Sequence, residues 1–415
     1  MVSALDRPLQ VVYRCGRLWT GERLIDRGGL VVEGGRITRV LFRNDADPAG
    51  AEVRDFPRAL IHTGFLNAHV HLDLSGLEGK IPAGLTFPGW LNRVRAHRSE
   101  VGAAGLVAAA RTGLRQLIAS GVTRLIDYSY GGHSAGPIEE SGIRAVVLRE
   151  VIAPDPVRAA EAEQAARAWL ADGSSHPLIR RGLAPHSPYL CIPSVIKRCR
   201  EIAGTAPFSI HAAEFPGEAE LLRTGRGELR GFLESVGVDF SGYVPPGVGP
   251  IEHLDRLGAL SAALVIHANF LEPGDARRLA ARDAAVVLCP RSHGYFNRPP
   301  HPLPDLLAAG VRMALGTDSS ASNLGLSIAE EMREVRKMFP ALTAQKIFAL
   351  GTGTSLRSWG GLPAGGLLAP GEPADFAAAE IDRAAGEPLE DFLRGGGRNE
   401  LTVVAGKETF HRDSG

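Results

Sequence analysis

The chain has 415 residues, of which 44% are hydrophobic and 22% are charged, a composition typical of globular proteins. It carries 46 lysines and arginines against 46 aspartates and glutamates, so its formal net charge is zero. This balance argues against nucleic acid or an anionic membrane surface as a partner, because no overall positive field would attract one.

The cysteines and the apolar runs indicate the compartment. Four cysteines, none of them in a C-x-x-C pair, do not make a disulfide framework in so long a chain. We therefore expect a reducing, cytoplasmic location. The first ten residues lack a basic segment followed by an apolar one, and no run of about 18 apolar residues occurs, so we expect neither a signal peptide nor a membrane span.

The two ends of the chain share one pattern. From residue 8 to 58, short alternating apolar segments are separated by glycine-rich turns, which predicts β-strands. The tail repeats this pattern, for example at Leu401–Val404. Because the length exceeds that of a usual single domain, we expect residues 1–58 and 360–415 to form a small β-sandwich domain.

Between these ends, over residues 59–359, short apolar runs alternate with amphipathic stretches. The runs predict buried parallel strands at Ile61–Leu72, Val122–Asp127, Ile143–Val151, Arg181–His186, Phe208–His211, Ala263–His267, Ala284–Cys289 and Val311–Gly316. The clearest helices are predicted at Leu106–Ala119, Pro156–Ala171, Pro193–Ala203, Asp275–Arg282 and Ile328–Met338. Alternating strands and helices of this kind predict a (β/α)8 TIM barrel, whose reactive side chains gather at the carboxyl ends of the strands.

An H-x-H pair ends the first predicted strand. His69 and His71 are two residues apart, so on a strand they point to the same face and can share one metal ion. His211 ends the fifth predicted strand, and Asp318 follows the eighth. Three imidazoles and one carboxylate suit Zn²⁺ or Fe²⁺. The sequence therefore predicts one divalent ion held by these four side chains.

Two further side chains are candidates for proton transfer. Glu214 lies three residues after His211, where it can take a proton from metal-activated water and pass it to a substrate. His267 ends the sixth predicted strand and can hydrogen-bond the attacking hydroxide or support a metal ligand. The other histidines are interpreted as ordinary core or surface residues, except for His186 and His293, which are discussed below: His62, His97, His133, His176, His253, His301 and His411.

These residues and their surroundings resemble the amidohydrolase superfamily, and within it the mononuclear cyclic-amidine deaminases. The resemblance covers nearly the whole chain, and its motifs include Pro57–Asp73, Ala184–Tyr189, His211–Glu214, Cys289–Ser292, Gly316–Asn323 and Leu368–Phe376. It implies attack of metal-bound hydroxide on an amino-substituted N-heterocycle, with release of ammonia. It also implies that Glu214 carries a proton to the ring nitrogen, and that His267 and Asp318 act on the hydroxide.

The resemblance also indicates substrate-binding residues. His186 matches a residue that contacts substrate, and Ser322 lies in the last barrel motif. Trp90 belongs to a segment that resembles the loop covering the substrate, where it would stack on a ring; the alternative is packing against a helix. Arg149 would bind a carboxylate or phosphate tail, or else pair with a neighbouring acidic residue.

The metal count keeps one alternative open. Two-metal relatives often bridge their ions with a carbamylated lysine, and no lysine occurs between Lys80 and Lys197. Glu150, at the end of the third predicted strand, remains an alternative bridge.

Two positions also depart from the family pattern. His293 stands where asparagine is usual, and Ser99 stands where nucleoside-type relatives have a ribose-binding glutamate.

Three functions compete. The spacing after His211 is similar to that of aminofutalosine and adenosylhomocysteine/methylthioadenosine deaminases, which favours an adenine-bearing small molecule as substrate. The alternative is an amidohydrolase that cleaves a cyclic amide, an imidazolone or a carbon–halogen bond on the same centre. An inactive barrel would require a broken ligand set, and here the set is complete. We expect a homodimer, because barrels of this kind commonly form pairs.

Overall fold

A computed structural model describes residues 10–173, 176–362, 365–381 and 386–412. Within the predicted end domain, residues 1–9, 363–364, 382–385 and 413–415 lie outside this description. The described strands, numbered β1 to β16 in chain order, are Val11–Trp19, Leu24–Asp26, Gly29–Glu33, Arg36–Leu41, Glu52–Thr63, Phe65–Val70, Val122–Tyr130, Arg144–Val151, Ile179–Pro185, Ser209–Ala212, Leu264–His267, Ala285–Leu288, Arg312–Leu315, Phe376–Glu380, Arg398–Val404 and Lys407–His411.

The described α-helices are numbered α1 to α13 in the same way. They are Phe87–Ala119, Ala135–Ser141, Pro156–Ala171, Pro193–Ala203, Pro216–Thr224, Glu228–Ser235, Pro250–Arg256, Asp275–Ala281, Pro290–Tyr295, Leu303–Ala308, Ile328–Met338, Ala344–Thr352 and Pro388–Asp391. Short 3-10 turns occupy Leu72–Leu77 and Thr354–Leu356, and a π-helical turn occupies Phe392–Gly396. In the described part of the chain, none of these helices has the length and apolarity needed to cross a membrane.

Strands from both ends of the chain share one eight-stranded sheet. Its order is β16-β15-β14-β5-β1-β3-β4, with β2 paired to β1. The β1–β5 pair is parallel, and the other pairs in this sheet are antiparallel. This sheet has an apolar cluster separate from that of the parallel strands, which includes Tyr13, Leu30 and Phe376. The two ends of the chain therefore meet in a single mixed sheet with its own core.

The eight predicted parallel strands correspond to β6 through β13. They form two four-stranded sheets, β6-β7-β8-β9 and β10-β11-β12-β13, and every pair in them is parallel. Isolated parallel bridges join the outer strands of the two sheets, Val70 with Asp318 and Leu183 with Phe208. All eight strands thus point the same way. The predicted α/β architecture with parallel strands is confirmed.

Both faces of the parallel strands are buried. Along β8, the side chain of Val147 joins the large cluster that includes helix residues such as Leu117. Its neighbours Val146 and Leu148 join a second cluster of strand residues. This alternation follows from the two-residue period of a strand. It explains why the strands are continuously apolar in sequence, as expected for parallel strands covered on both sides.

The first predicted strand, Ile61–Leu72, is divided in the structure. Residues up to Thr63 belong to β5 in the mixed sheet, and β6 begins at Phe65. A Cβ atom on Gly64 would lie 2.1 Å from the Thr123 hydroxyl oxygen, so glycine is required where the chain passes between sheets. The apolar pattern did not reveal this division, because the residues on both sides of Gly64 are buried.

Several helices have the predicted bounds because local residues set their ends. Helices α3, α4 and α11 span the predicted ranges. Asp155 caps α3 by accepting a hydrogen bond from the Arg158 amide, and Pro156 occupies the first turn. The predicted helix Leu106–Ala119 is the second part of α1, which is interrupted at Gly102 with φ of 58°.

Candidate metal centre

Three histidines converge at the carboxyl ends of the parallel strands. His69 lies on β6, His71 follows that strand directly, and His211 lies on β10. One ring nitrogen from each lies within 4.8 Å of the other two, and all three side chains are buried. The structure thus brings together the three histidines predicted from sequence, in an arrangement that can hold one Zn²⁺ or Fe²⁺ ion.

The hydrogen bonds around these histidines leave nitrogen atoms for a metal. Among the described residues, neither ring nitrogen of His69 has a hydrogen-bond partner, and His71 Nε2 faces the same carboxylate oxygen of Asp318 as His69 Nε2. His211 Nδ1 donates to the His186 carbonyl oxygen at 2.8 Å, which leaves its Nε2 free to bind a metal. Burial lowers the pKa of His71 and of His211. Neutral imidazoles are favoured, and metal binding requires that form.

Asp318 lies beside the histidines, just beyond β13. Its Oδ1 is 3.5 Å from His69 Nε2 and 3.8 Å from His71 Nε2. Its Oδ2 accepts hydrogen bonds from the Ser292 hydroxyl at 2.7 Å and from the Ser322 hydroxyl at 3.1 Å. One carboxylate oxygen is therefore held by serines while the other faces the imidazoles. The position fits the predicted fourth ligand.

Strained backbone gathers at the same strand ends. Ala213, His267 and Asp318 have φ values of 53°, 74° and 56°, in the left-handed region that non-glycine residues rarely adopt. Each such conformation costs on the order of 1–3 kcal/mol and persists where the surrounding structure enforces it. These sharp turns lie at the carboxyl ends of β10, β11 and β13, beside His211, Glu214 and Asp318.

Glu214 is buried close to this group and has three polar neighbours. Its Oε1 lies 3.6 Å from His267 Nε2 and 3.2 Å from Arg298 Nη2. The Tyr189 hydroxyl donates to Oε2 at 3.4 Å. Burial raises the pKa of Glu214 to about 7, although the charge of Arg298 opposes this rise. A carboxyl group with a pKa near neutrality can both accept and release a proton.

His293 supports the segment around Glu214. Its Nδ1 lies 3.1 Å from Asn269 Oδ1, and its Nε2 donates to the Pro299 carbonyl oxygen at 2.7 Å. The Asn269 amide in turn donates to the Glu214 carbonyl oxygen at 3.0 Å. His293 therefore connects the Glu214 backbone with the loop that carries Arg298.

A cavity of about 750 Å³ opens at this edge. His186, Trp90 and Arg149 line it, together with His71 and Asp318. The His186 ring stacks on the His211 ring with centroids 4.5 Å apart and planes inclined by 15°. Three of the four predicted substrate-binding residues therefore share one cavity with two predicted metal ligands.

Trp90 and Ser322 have contacts of their own inside the protein. The Trp90 indole nitrogen donates to the Ala321 carbonyl oxygen at 3.0 Å, and its ring stacks on Phe87 with centroids 5.6 Å apart. Trp90 thus both packs internally and lines the cavity, which combines the two alternatives drawn from sequence. The Ser322 hydroxyl is engaged with Asp318, and its substrate-binding role stays a prediction.

Sequence reasoning missed two arginines of the site. Arg298 lies in a loop, followed by two prolines and away from any strand end. Arg98 lies on α1 and reaches Asp73 and Glu150, with its Nη2 3.7 Å and 3.4 Å from their carboxylate oxygens. Neither residue belongs to a motif with known spacing, so no sequence signal singled them out. Both arginines reach the site only because the loop and α1 pack against the strand ends in the tertiary structure.

The fold and the site together define a class of proteins in which histidines at the carboxyl ends of parallel strands can hold a metal ion. Residues 60–408 match the model of the Amidohydrolase family, and the chain belongs to this family. It is 30% identical over 385 residues to 5′-deoxyadenosine deaminase of Methanothermobacter thermautotrophicus, covering 88% of this chain and 85% of that protein. It is 31% identical over 330 residues to aminodeoxyfutalosine deaminase of Deinococcus radiodurans, covering 76% and 77%.

A solved structure supports the fold. The crystal structure of an adenosine deaminase from Xanthomonas campestris with bound zinc superposes with a TM-score of 0.82. The alignment covers 97% of this chain and 93% of that one, at 23% sequence identity. This likeness concerns the fold. The family match and the two deaminase relatives identify the chain as a hydrolase acting on carbon–nitrogen bonds.

Proposed function

We propose that the protein is a metal-dependent hydrolytic deaminase that removes an amino group from an adenine-bearing small molecule as ammonia. One observation carries this proposal: Glu214, with a pKa near neutrality, lies 3.6 Å from His267 at the strand ends where the three histidines meet. The names of the two deaminase relatives support the choice of an adenine-type substrate.

We propose His69, His71, His211 and Asp318 as the ligands of one divalent ion, Zn²⁺ or Fe²⁺. The unpartnered ring nitrogens of His69 support this assignment, because a buried polar atom without a partner is unfavourable unless a bound group satisfies it. When bound, the ion would activate water for attack on the substrate. Asp318 would orient that water, with its own position fixed by the Ser292 hydroxyl.

In this proposal Glu214 moves the proton. Its carboxylate takes one proton from the attacking water and delivers it to the ring nitrogen next to the reacting carbon. The second proton of that water passes to the amino group, so the carbon–nitrogen bond breaks, ammonia leaves and a carbonyl group remains. Arg298 and Tyr189 hold the two carboxylate oxygens in place. His267, 3.6 Å from the same carboxylate, would hydrogen-bond the reacting centre on its other side.

Four residues are proposed to bind the substrate: His186, Trp90, Arg149 and Ser322. The cavity is large enough for a nucleoside with a substituent, since small-molecule pockets typically measure about 300–1,000 Å³. Trp90 offers an aromatic wall for the base. The half-buried guanidinium of Arg149 offers a fixed positive charge for a tail.

The test is ammonia release by the purified, zinc-loaded protein. The panel contains 5′-deoxyadenosine, aminodeoxyfutalosine, methylthioadenosine, adenosylhomocysteine, adenosine and guanine, with cyclic amides and imidazolones as a second class. Deamination of one or more adenine compounds is expected. Turnover confined to the second class would favour the alternative, an amidohydrolase that cleaves a ring amide on the same centre.

Replacing Glu214 with glutamine tests the proton carrier. The amide keeps the shape of the side chain but cannot accept the proton, so kcat should fall by about 10²–10⁴-fold, the usual contribution of a positioned acid or base. Metal content by elemental analysis should stay equal to that of the unchanged protein. Near-normal kcat in Glu214→Gln would remove Glu214 from this role.

We also propose a finer architecture. Residues 59–359 would form a closed (β/α)8 barrel, supported by the bridges at Val70 and Leu183 that link the two parallel sheets. Residues 1–58 and 360–415 would form a β-sandwich domain, although β5 continues to Thr63 before the chain enters the parallel strands. A cytoplasmic location and a homodimer remain part of the proposal.

A further inference from the structure

A buried carboxyl group, that of Glu150, lies behind His71, on the side of the ring away from Asp318. His71 Nε2 faces Asp318, whereas His71 Nδ1 lies 3.6 Å from Glu150 Oε1. Glu150 is the last residue but one of β8, two strands along the sheet from β6. The two nitrogens of one imidazole therefore face two different carboxylates.

The same oxygen of Glu150 also approaches the histidine proposed to contact substrate. Glu150 Oε1 lies 3.7 Å from His186 Nε2. The other ring nitrogen of His186 is 3.1 Å from the Ser187 hydroxyl, so Nε2 is free to carry a proton towards Glu150. One carboxylate oxygen thus lies between a proposed metal ligand and a proposed substrate contact.

Two neutral imidazoles and one arginine, Arg98, lie within ion-pair distance of Glu150 among the described residues. Arg98 Nη2 lies 3.4 Å from Glu150 Oε2, and the Arg98 guanidinium lies 4.4 Å from the centre of the Tyr130 ring. Neither oxygen of Glu150 has a hydrogen-bond partner in the described chain, and the side chain is buried. A buried carboxylate is strongly unfavourable unless it is paired and hydrogen-bonded. Arg98 faces Oε2, which leaves Oε1 to the neighbouring imidazoles.

We propose that Glu150 is a positioning residue of the metal centre, which accepts the Nδ1 proton of His71 and the Nε2 proton of His186 on one oxygen while Arg98 neutralises the other. This inference rests on the proposed function. A ligand histidine usually donates its second nitrogen to a carboxylate, which fixes the tautomer and strengthens metal binding. Here the carboxylate of Glu150 would orient both the proposed metal ligand His71 and the proposed substrate contact His186.

The alternative role of Glu150, a bridge between two metal ions, fits the geometry less well. Any ion bound at Glu150 would lie close to the Arg98 guanidinium, since Nη2 is only 3.4 Å from Oε2. Two like charges this close and this buried repel strongly. The positioning role predicts one ion per chain, and the bridging role predicts two.

The experiment compares zinc affinity, by chelator competition, in the unchanged full-length protein and in Glu150→Gln, Glu150→Ala and Glu161→Gln. Glu161 lines the same cavity but its side chain is exposed, which makes it a matched control. Affinity should fall by about 10- to 100-fold in both Glu150 variants, the usual effect of losing such a partner. Glu161→Gln should keep the affinity of the unchanged protein.

Three readouts separate the outcomes. Elemental analysis should give one zinc per chain, and thermal unfolding of the zinc-free proteins should show that Glu150→Gln is folded. KM should rise in Glu150→Gln at saturating zinc, because the His186 ring would no longer be held in its substrate-binding orientation. Unchanged zinc affinity in both Glu150 variants, or two zinc ions per chain, would overturn the inference alone. Failure of the unchanged protein to bind zinc would overturn the proposed function as well.

Discussion

Replacing Arg298 with methionine would remove one charge beside the proposed proton carrier. Arg298 Nη2 lies 3.2 Å from Glu214 Oε1, and only 4% of the arginine side chain is exposed. Solvent therefore screens this pair weakly, unlike an ion pair at the surface. Methionine keeps an unbranched apolar chain that can still pack against Phe296, whose ring centre lies 4.5 Å from the guanidinium.

The direction of the effect follows from the charges. Burial raises the pKa of Glu214 to about 7, and Arg298 opposes that rise. An adjacent arginine typically lowers a carboxyl pKa by about 1–3 units, which corresponds to about 1.4–4 kcal/mol. Without Arg298 the pKa of Glu214 should rise by that amount. Catalysis that needs the ionised carboxylate exists above this pKa and is lost as pH falls through it.

The assay is the pH profile of kcat/KM for ammonia release. The acidic limb of the profile should move to higher pH by about 1–3 units in Arg298→Met, with metal content unchanged. Arg298→Lys retains the charge and should keep the limb near its original position. An acidic limb that does not move in Arg298→Met, in protein with full metal content, would refute the pairing of Arg298 with Glu214.

Two further substitutions test the packing around the site and between the sheets. Gly316→Ala should weaken zinc binding and destabilise the protein by about 1–3 kcal/mol, because the new Cβ would lie 2.7 Å from His69 Cβ and 2.9 Å from the His69 backbone. The control is Gly294→Ala, whose new Cβ would have no neighbour within 4 Å. Equal zinc affinity in the two variants would contradict this prediction. Asp375→Ala should lower the free energy of unfolding in urea by about 3–5 kcal/mol, because it leaves the Arg144 guanidinium, whose side chain is only 12% exposed, without its buried partner. A loss below about 1 kcal/mol would mean that the pair behaves as an exposed one.

Local sequence patterns predict most of the parallel strands, several helices and the meeting of the three histidines. Apolar runs identify buried strands, and Asp155 and Pro156 mark the start of α3 within the chain itself. His69, His71 and His211 lie on or directly after strands, and parallel strands bring their carboxyl ends to one edge. Residues at strand ends are therefore predictable from local pattern alone, once the strands are known to be parallel.

The charged side chains around those histidines are brought there by tertiary packing. Arg298 reaches Glu214 from a loop 84 positions away, and Glu150 meets His71 and Arg98 across separate elements. Gly64 separates two strands that the apolar pattern had joined. Local periodicity records which face of a strand or helix is buried. It does not record which distant charge will lie against that face, because such a pairing is set by how the loops and helices pack over the strand ends.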